Sequence, residues 1–396
     1  MKRHDFSMAL LTLPLVIFIA FVFVWPVARF LTLGIDNSGI AQNLPRTIQS
    51  LSKWKPVDGV PGETSFTALI ADLADAHAKQ QDGILAQLIN QRVVGSRILV
   101  IKTASASANG DFAKSPAKDT VLTAFPGWKN PDIWTVIARE KTNFTDYYLL
   151  NSLDLQRSTE NNIEKVPPDN AVLLNVLGRT IWISLVVTAL CALLSLPLAQ
   201  AIVSAPAIWS RVIFALVLFP MWTSLLVRNI IWIIVLQKNG PINSSLISMG
   251  LISSPFEMIY TRFSLYVAML QILLPIMVLS VTSVMKNIPP SYMKASLSLG
   301  APWHTAWRRI QLPLILPGIF AGSAVVFVFS LGYYITPMLV GGPTDQMVSS
   351  YIAFYTNKTL NWGMSAALSI QLILILAISA VLFLSARAFF NRNTQT

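Results

Sequence analysis

Six stretches of the 396-residue chain run for about twenty residues or more with almost no charge, at about 8–28, 180–203, 212–237, 263–285, 314–338 and 363–386. About 20 apolar residues in a helix cross a hydrocarbon core of about 30 Å, and only helices or closed barrels satisfy every backbone polar group there. The pattern predicts an all-α polytopic membrane protein with six transmembrane helices. The third stretch carries a single charge, Arg228. Charge-free runs at 180–210 and 310–344 exceed one span and include interfacial residues. Charged residues make up 12% of the chain, about half the usual quarter.

The net charge of +11 is unevenly placed. Residues 35–172 hold 14 Lys and Arg against 15 Asp and Glu, and the remainder holds 15 against three, Asp5, Glu257 and Asp345. The excess belongs to the apolar part, where it reports orientation and argues against a nucleic-acid partner. With six alternating helices, Lys2, Arg3, Arg211, Lys286, Lys294, Arg308, Arg309, Arg387 and Arg392 share one side with a single acid, Asp5. The opposite short loops carry Lys238, Arg262 and Lys358 against Glu257 and Asp345. Loops rich in Lys and Arg stay in the cytoplasm, so both termini are expected there and residues 35–172 outside. The basic start Met1-Lys2-Arg3 resembles that of a signal peptide, but the apolar core after it is long and no A-x-A site follows; an uncleaved anchor is expected.

Three parts follow from this layout: 1–34, a cytoplasmic tail and first transmembrane helix; 35–172, an outer and mostly helical insert; and 173–396, a core with five transmembrane helices. Within the insert, Thr64 to Gln80 reads as an amphipathic helix with Phe66, Leu69, Ile70 and Leu73 on one face. Asp82 is placed to cap a second helix through Ile84, Leu85, Leu88, Ile89, Val93 and Val94, and a third piece after Pro131 carries Ile133, Trp134 and Ile137. Residues 104–120, rich in Ala, Ser and Lys, read as a flexible loop.

Bond chemistry finds no foothold. The chain has no Gly-Lys pair and so no P-loop, and it lacks both G-x-S-x-G and H-E-x-x-H. Its three histidines, His4, His77 and His304, fall in separate parts of the topology, which makes a two-histidine metal site implausible. The single Cys191 lies in an apolar run and reads as a small hydrophobe. No Asp or Glu lies inside a predicted span, which weakens proton-coupled transport. Energy for uphill movement would come from another chain.

The loop between spans four and five, 287–313, is the most informative segment. Pro289 and Pro290 stop the incoming helix, Ser291 is placed to cap a short one, and Gly300 permits a left-handed turn. A second helix from Pro302 to about Gln311 then meets Leu312-Pro313, read as the opening of the fifth span. Lys294-Ala295-Ser296, Gly300, Ile310, Leu312 and Pro313 stand at the spacing E-A-A-x3-G-x9-I-x-L-P. That spacing resembles the EAA loop of type I ATP-binding-cassette (ABC) importer permeases, with Lys294 and Ser296 departing from it. Over roughly 175–390 the chain is similar to the spermidine/putrescine class, first permease component. The strings are Arg179-Thr-Ile-Trp-Ile-Ser184, Pro220-Met-Trp-Thr-Ser-Leu-Leu-Val-Arg228, Asn239-Gly-Pro-Ile-Asn243, Leu274-Pro275, Pro317-Gly318, Gly332-Tyr-Tyr-Ile-Thr-Pro337 with Gly341-Gly342, and Asn361-Trp362-Gly363.

The resemblance implies a permease subunit of a bacterial inner (cytoplasmic) membrane importer, with 35–172 in the periplasm. Its implied partners are a second permease, two cytoplasmic ATPase subunits and a periplasmic substrate-binding protein. It implies no cofactor on this chain, with ATP and Mg on the ATPase. Lys294, Ala295, Ser296, Gly300, Ile310, Leu312 and Pro313 would then form the ATPase-coupling loop. Trp222, Ser224, Arg228, Tyr333 and Tyr334 are candidates for the translocation path, since aromatic faces suit ammonium groups; helix packing or an interfacial belt is the plainer reading of the aromatics. Arg228 reads equally as a path residue or as one paired with backbone carbonyls. Pro220, Pro275 and Pro337 are expected to kink spans, Gly318 and Gly332 to allow close helix contacts, and Glu257 and Asp345 to be solvated outer-loop charges.

The function expected is ATP-driven import of polyamines. The same machine with an opine, amino acid, phosphonate or ferric iron as cargo is the alternative. An ion-coupled secondary transporter predicts inverted repeats and intramembrane acids, a membrane enzyme predicts clustered histidines or acids, and a sensor leaves the EAA-like loop without a purpose.

Overall fold

Prolines mark several of the places where helices of this chain widen or stop, while Pro197, Pro275 and Pro317 sit inside unbroken ones. The computed structural model describes residues 13–112, 116–158 and 161–393. The chain divides into two units, one made of Met1–Ala171 with Thr359–Ile370, the other of Val172–Lys358 with Gln371–Thr396. Among the described residues five helices are long and apolar enough to cross a membrane, and one further pair qualifies only as a span bent by 103°.

In the first unit, α1 (Leu13–Thr32) has none of its most apolar residues buried within the chain. The first part of the predicted span, 8–12, lies outside the described residues. The α1 backbone widens to a π-turn at Ala20–Val24, where the Trp25 amide reaches the Ala20 carbonyl. Pro26 follows, with no N–H to give and a ring that crowds the carbonyl four residues back; the wider turn relieves both.

The insert folds into α2 (Pro45–Ser50), α3 (Glu63–Ala78), α4 (Asp82–Arg92), α5 (Ser96–Ala108), α6 (Ala117–Ala124), α7 (Pro131–Arg139) and α8 (Tyr147–Ser152). A short antiparallel hairpin follows, pairing β1 (Leu155–Arg157) with β2 (Ile163–Lys165). The apolar faces read from the sequence meet in one core, with Phe66, Leu69, Leu73, Leu85, Ile89, Trp134 and Ile137 all buried. Phe66 meets Trp134 edge-on with ring centres 4.9 Å apart. Each buried indole finds an acceptor: Trp134 Nε1 donates to the Trp128 carbonyl at 2.8 Å, and Trp128 Nε1 to Thr103 Oγ1 at 2.9 Å.

Two expectations for the insert need correction. Residues 104–108 complete α5, burying Ala104 and Ser107, and 117–120 open α6, so most of 104–120 is helix; residues 113–115 lie outside the described set. Small Ala and Ser side chains suit the tight packing of α5 against its neighbours, and composition alone hid this. Asp82 does not cap α4; Gln81 takes that position without a side-chain bond, while the Asp82 carboxylate meets His77 Nδ1 at 2.8 Å.

Acids of α3 cap other helices instead. The buried Asp72 carboxylate accepts from the Thr47 amide at 2.7 Å and the Thr47 hydroxyl at 2.8 Å, at the start of α2. Glu63 accepts from the Ala117 and Lys118 amides at the start of α6. Negative charge at a helix N-terminus satisfies free N–H groups and opposes the helix dipole. Burial nonetheless raises the Asp72 pKa, the Thr47 hydrogen bonds and Arg46 opposing it.

The middle of the insert is tied to its later part by a buried ion pair. Arg92 Nη1 lies 2.6 Å from Glu140, its side chain only 2% exposed. Asn37 joins both, donating to Glu140 and accepting from Arg92 Nη2 at 3.0 Å. The guanidinium also sits 4.9 Å over the Tyr147 ring. Burial raises the Glu140 pKa, with Arg92 pulling against it. Residues 359–370 close this unit: Gln87 Nε2 donates to the Leu360 carbonyl at 3.1 Å. A Cβ on Gly363 would come within 2.4 Å of the Tyr148 ring, so only glycine fits there.

The second unit begins with α9 (Leu173–Ser204), continues through α10 (Ala207–Leu218), α11 (Leu225–Leu236) and α12 (Pro241–Ser248), and then α13 (Arg262–Lys286) and α14 (Pro290–Ser298). It is completed by α15 (Trp303–Gly332), α16 (Ile335–Val340), α17 (Val348–Asn357) and the later part of α18 (Trp362–Asn393). Helices α9, α13 and α15 bury Ile183, Val187, Cys191, Met269, Leu273, Met277, Val281, Ile315 and Val326 between them. A Cβ on Gly318 would meet Val284 at 2.9 Å, and the Gly318 carbonyl accepts from Ser280 Oγ at 2.9 Å. Close approach of α13 and α15 therefore needs this glycine. Gly332 has nothing within 4 Å of a built Cβ, so its expected role as a contact glycine is not met.

Two of the predicted spans are broken. The third, 212–237, is interrupted at Phe219–Ser224: a 3-10 turn carries Pro220, then Thr223 and Ser224 turn extended before α11 starts. The fifth, 314–338, stops at Gly332, and Tyr333 and Tyr334 leave the helix before α16.

The loop 341–347 is pinned from two helices. Arg179 Nε donates to the Gln346 carbonyl at 3.0 Å, and Arg262 Nε to Asp345 Oδ1 at 2.8 Å. Asp345 is only 4% exposed, so it is not the solvated charge expected of it. Glu257 does match that expectation, its side chain 82% exposed and 3.8 Å from Lys238.

Replacing one partner of a buried ion pair leaves the other charge uncompensated. Arg92→Leu is expected to destabilise the first unit by about 3–5 kcal/mol, and Arg92→Leu/Glu140→Leu to recover most of that loss, read by thermal unfolding of the purified full-length protein. For the second unit, Arg262→Leu is expected to cost about 1–3 kcal/mol and to speed hydrogen exchange across 341–347; unchanged exchange there would show that Arg179 holds the loop alone.

Candidate coupling arm and translocation cleft

The arm starts where Pro289 and Pro290 forbid continuation of α13. Helix α14 begins at Pro290 with Pro289 as its N-cap and no side-chain cap, so Ser291 lies inside the first turn and does not cap it. Its end is a Schellman turn: the Gly300 amide bonds the Leu297 carbonyl at 3.0 Å, and the Ala301 amide the Ser296 carbonyl at 3.1 Å. Gly300 has φ +86°, a region costly for any residue with a Cβ.

The second arm helix is not separate from the fifth span. Trp303–Gly332 runs continuously as α15, with a π-turn at Trp307–Gln311 where the Leu312 amide reaches the Trp307 carbonyl. Pro313 accounts for it as Pro26 does in α1. Ile310, Leu312 and Pro313 therefore lie within one rod, half-buried, rather than at a junction.

Other arm residues divide by exposure. Lys294, Ala295 and Gly300 are exposed, and Lys294 makes no ion pair among the described residues. Ser296 is buried with its hydroxyl donating to the Met293 carbonyl at 2.8 Å. A serine thus fills an alanine-sized space without an unpaired donor. Around the turn, Tyr292, Leu297, Leu299 and Trp303 are exposed, Leu299 to 88%, and Trp303 stacks on Trp307 with centroids 6.4 Å apart. Exposed Arg308 and Arg309 lie next along the chain.

The two broken spans meet at a cleft of about 360 Å³, lined by Leu225, Val328, Phe329, Gly332, Tyr333, Tyr334 and Ile335. Of the five path candidates, Tyr333 and Tyr334 line it. Arg228 lies one turn into α11, within electrostatic reach of Tyr333, and its Nε is buried with no hydrogen-bond partner among the described residues. Ser224 is the N-cap of α11 and gives no side-chain cap. Trp222 is 82% exposed in the 3-10 turn and does not line the cleft. Sequence reading passed over Leu225, Val328, Phe329 and Ile335, apolar residues that only a helix break sets beside open space. It also passed over Asn229, fully buried with both carboxamide atoms unpartnered among the described residues; a polar residue beside Arg228 in an apolar run was the available signal. No carboxylate lines the cleft, and no group of three or more His, Cys, Asp or Glu among the described residues could hold a metal.

Comparison with known proteins agrees with this architecture. The chain is 28% identical over 222 residues to the spermidine/putrescine transport system permease protein PotB of Haemophilus influenzae, covering 55% of this chain and 78% of that one. It is 29% identical over 221 residues to the inner membrane ABC transporter permease protein YdcU of Escherichia coli, covering 52% and 69%. A crystal structure of a bacterial alginate ABC transporter in complex with an alginate pentasaccharide-bound periplasmic protein superposes with a TM-score of 0.46 at 19% identity, over 57% of this chain and 80% of the other. The family model for the binding-protein-dependent transport system inner membrane component matches residues 191–395. The chain therefore belongs to that family, as a multi-pass permease of a type I ABC importer.

Proposed function

We propose that the chain is the membrane subunit through which a separate ATPase drives uptake of a small solute. The observation that carries this reading is the arm. Its Gly300 turn presents Leu299, Tyr292 and Trp303 to the outside of the chain beside Lys294, Arg308 and Arg309. An apolar tip on a short stiff hairpin suits a groove on an ATPase, and the chain has no phosphate-cradling loop of its own. ATP and Mg bind on two such subunits; a second permease and a periplasmic binding protein complete the importer. Both termini face the cytoplasm and residues 35–172 the periplasm, as the distribution of Lys and Arg supports. In the cycle, closure of the ATPases moves the arm, α15 carries that movement to Gly332 and Tyr333, and the cleft opens to the other side.

The relationship to PotB supports a polyamine cargo such as spermidine or putrescine, with Tyr333 and Tyr334 offering aromatic faces to ammonium groups. Arg228 favours a second reading, an anionic or zwitterionic small solute, because it sets a positive charge within electrostatic reach of Tyr333 in the cleft wall.

Purified complex in lipid, with its binding protein, separates these. Spermidine or putrescine is expected to stimulate ATP hydrolysis; stimulation by glutamate or a phosphonate alone moves the cargo to the second reading. Gly300→Val forces a β-branched residue into the left-handed region at roughly 1–3 kcal/mol. It is expected to lower cargo-stimulated hydrolysis at least about tenfold while the protein still inserts. Full stimulation in a properly inserted Gly300→Val complex would refute the arm assignment.

A further inference from the structure

The arm reaches one wall of the cleft directly, because α15 is continuous from Trp303 to Gly332 and its last turns supply Val328, Phe329 and Gly332. The other wall, Leu225 at the start of α11, has no such rod. A side-chain contact ties the root of the arm to the helices that lead to it. Within the π-turn at the root of the arm, Gln311 Nε2 donates to Gln200 Oε1 of α9 at 2.8 Å. Gln200 Nε2 in turn donates to Ser204 Oγ at 2.7 Å, at the end of α9. The next helix is fastened to the same corner: Ser210 Oγ of α10 donates to the Ile202 carbonyl at 2.5 Å. Helix α10 runs to the break at Phe219–Ser224 and so to Leu225.

Both glutamines are half-buried, each at the end of an apolar span where a long polar side chain has few partners. A side-chain hydrogen bond between packed membrane helices is short-ranged and directional. The π-turn places one more residue per turn than an α-turn, which rotates what precedes it relative to α15 by about 100°. Gln311 is the last residue of that wide turn, so the contact with α9 is made where the arm end of α15 meets its cleft-facing length.

Resting on the coupling-arm reading above, we infer that Gln311 and Gln200 form a positioning clamp that passes arm movement to the α9–α10 corner, so that both walls of the cleft shift together. Without the clamp the α9–α10 corner would lose its side-chain tie to the arm, leaving the α11 wall to follow only through its contact with α13, where Trp232 Nε1 donates to Gln271 Oε1 at 2.6 Å.

Spin labels on Leu226→Cys and Phe329→Cys, both positions more than half exposed, in a Cys191→Ala background report the separation of the walls in the assembled complex, with and without ATP and vanadate. The wild-type pair is expected to change distance on nucleotide binding. Gln311→Leu and Gln200→Leu are each expected to shrink that change at least about twofold, and the double variant no further than the stronger single, as one shared contact requires. Gln200→Glu, which still accepts from Gln311, is expected to keep the full change. An unaltered change in either Leu variant, or single effects that add in the double variant, would overturn the clamp. A complex that binds ATP but shows no distance change even without these substitutions would overturn the arm reading, and the clamp with it.

Discussion

Everything in the second unit depends on the demand of backbone amides and carbonyls for partners where water is absent. In hydrocarbon an unpaired N–H or C=O costs several kcal/mol, so each span is helix unless protein surrounds the gap. Departures from helix in this chain are therefore few, and each has a cause. Pro26 and Pro313 remove a donor and are answered by wide turns in which the hydrogen bonds reach one residue farther. At Phe219–Ser224 and Tyr333–Tyr334 the helix gives way altogether, and both breaks adjoin the same cleft. Irregular backbone at such depth is tolerated where it lines a cavity or is covered by protein.

The first unit solves a different problem. It carries a near balance of charges and buries several of them, so its order depends on matching acids to amides and cations. Asp72 and Glu63 lie on one helix yet cap two others, and Arg92 holds Glu140 and Asn37 from regions far apart in sequence. Such contacts specify one arrangement of helices where oily faces alone would allow several, because any other packing leaves a buried carboxylate without donors.

How much of this was legible in the sequence follows from the range of each signal. Apolar runs report burial or lipid contact residue by residue, so the spans at Arg262–Lys286 and Leu173–Ser204 read correctly to within several residues. The Gly300 turn was equally readable, because left-handed backbone selects glycine locally. Breaks inside apolar runs were not, since Pro220 bends one helix while Pro275 sits inside another with no break in the assigned helix. Asp345 was misjudged for a related reason, since its partner Arg262 lies far away in sequence and is fixed by tertiary structure; Asp82 was misjudged because a local partner five residues back, His77, takes its carboxylate. The cleft was legible only through Tyr333 and Tyr334, as the rest of its side-chain lining is the Leu, Val, Phe and Ile common to every apolar run of the chain.

The discontinuous make-up of the first unit has a consequence for biogenesis. Its helices are complete by Ala171, yet Thr359–Ile370, with the glycine that fits against Tyr148 and the carbonyls that Gln87 holds, emerges only after the whole of Val172–Lys358. At ordinary rates of translation that interval lasts roughly ten to forty seconds. Throughout it the Tyr148 seat stays vacant and the first unit waits unfinished. The last helix is thus a closing key as well as a span: a chain truncated before Asn361 lacks the final piece of a unit whose other residues were made long before.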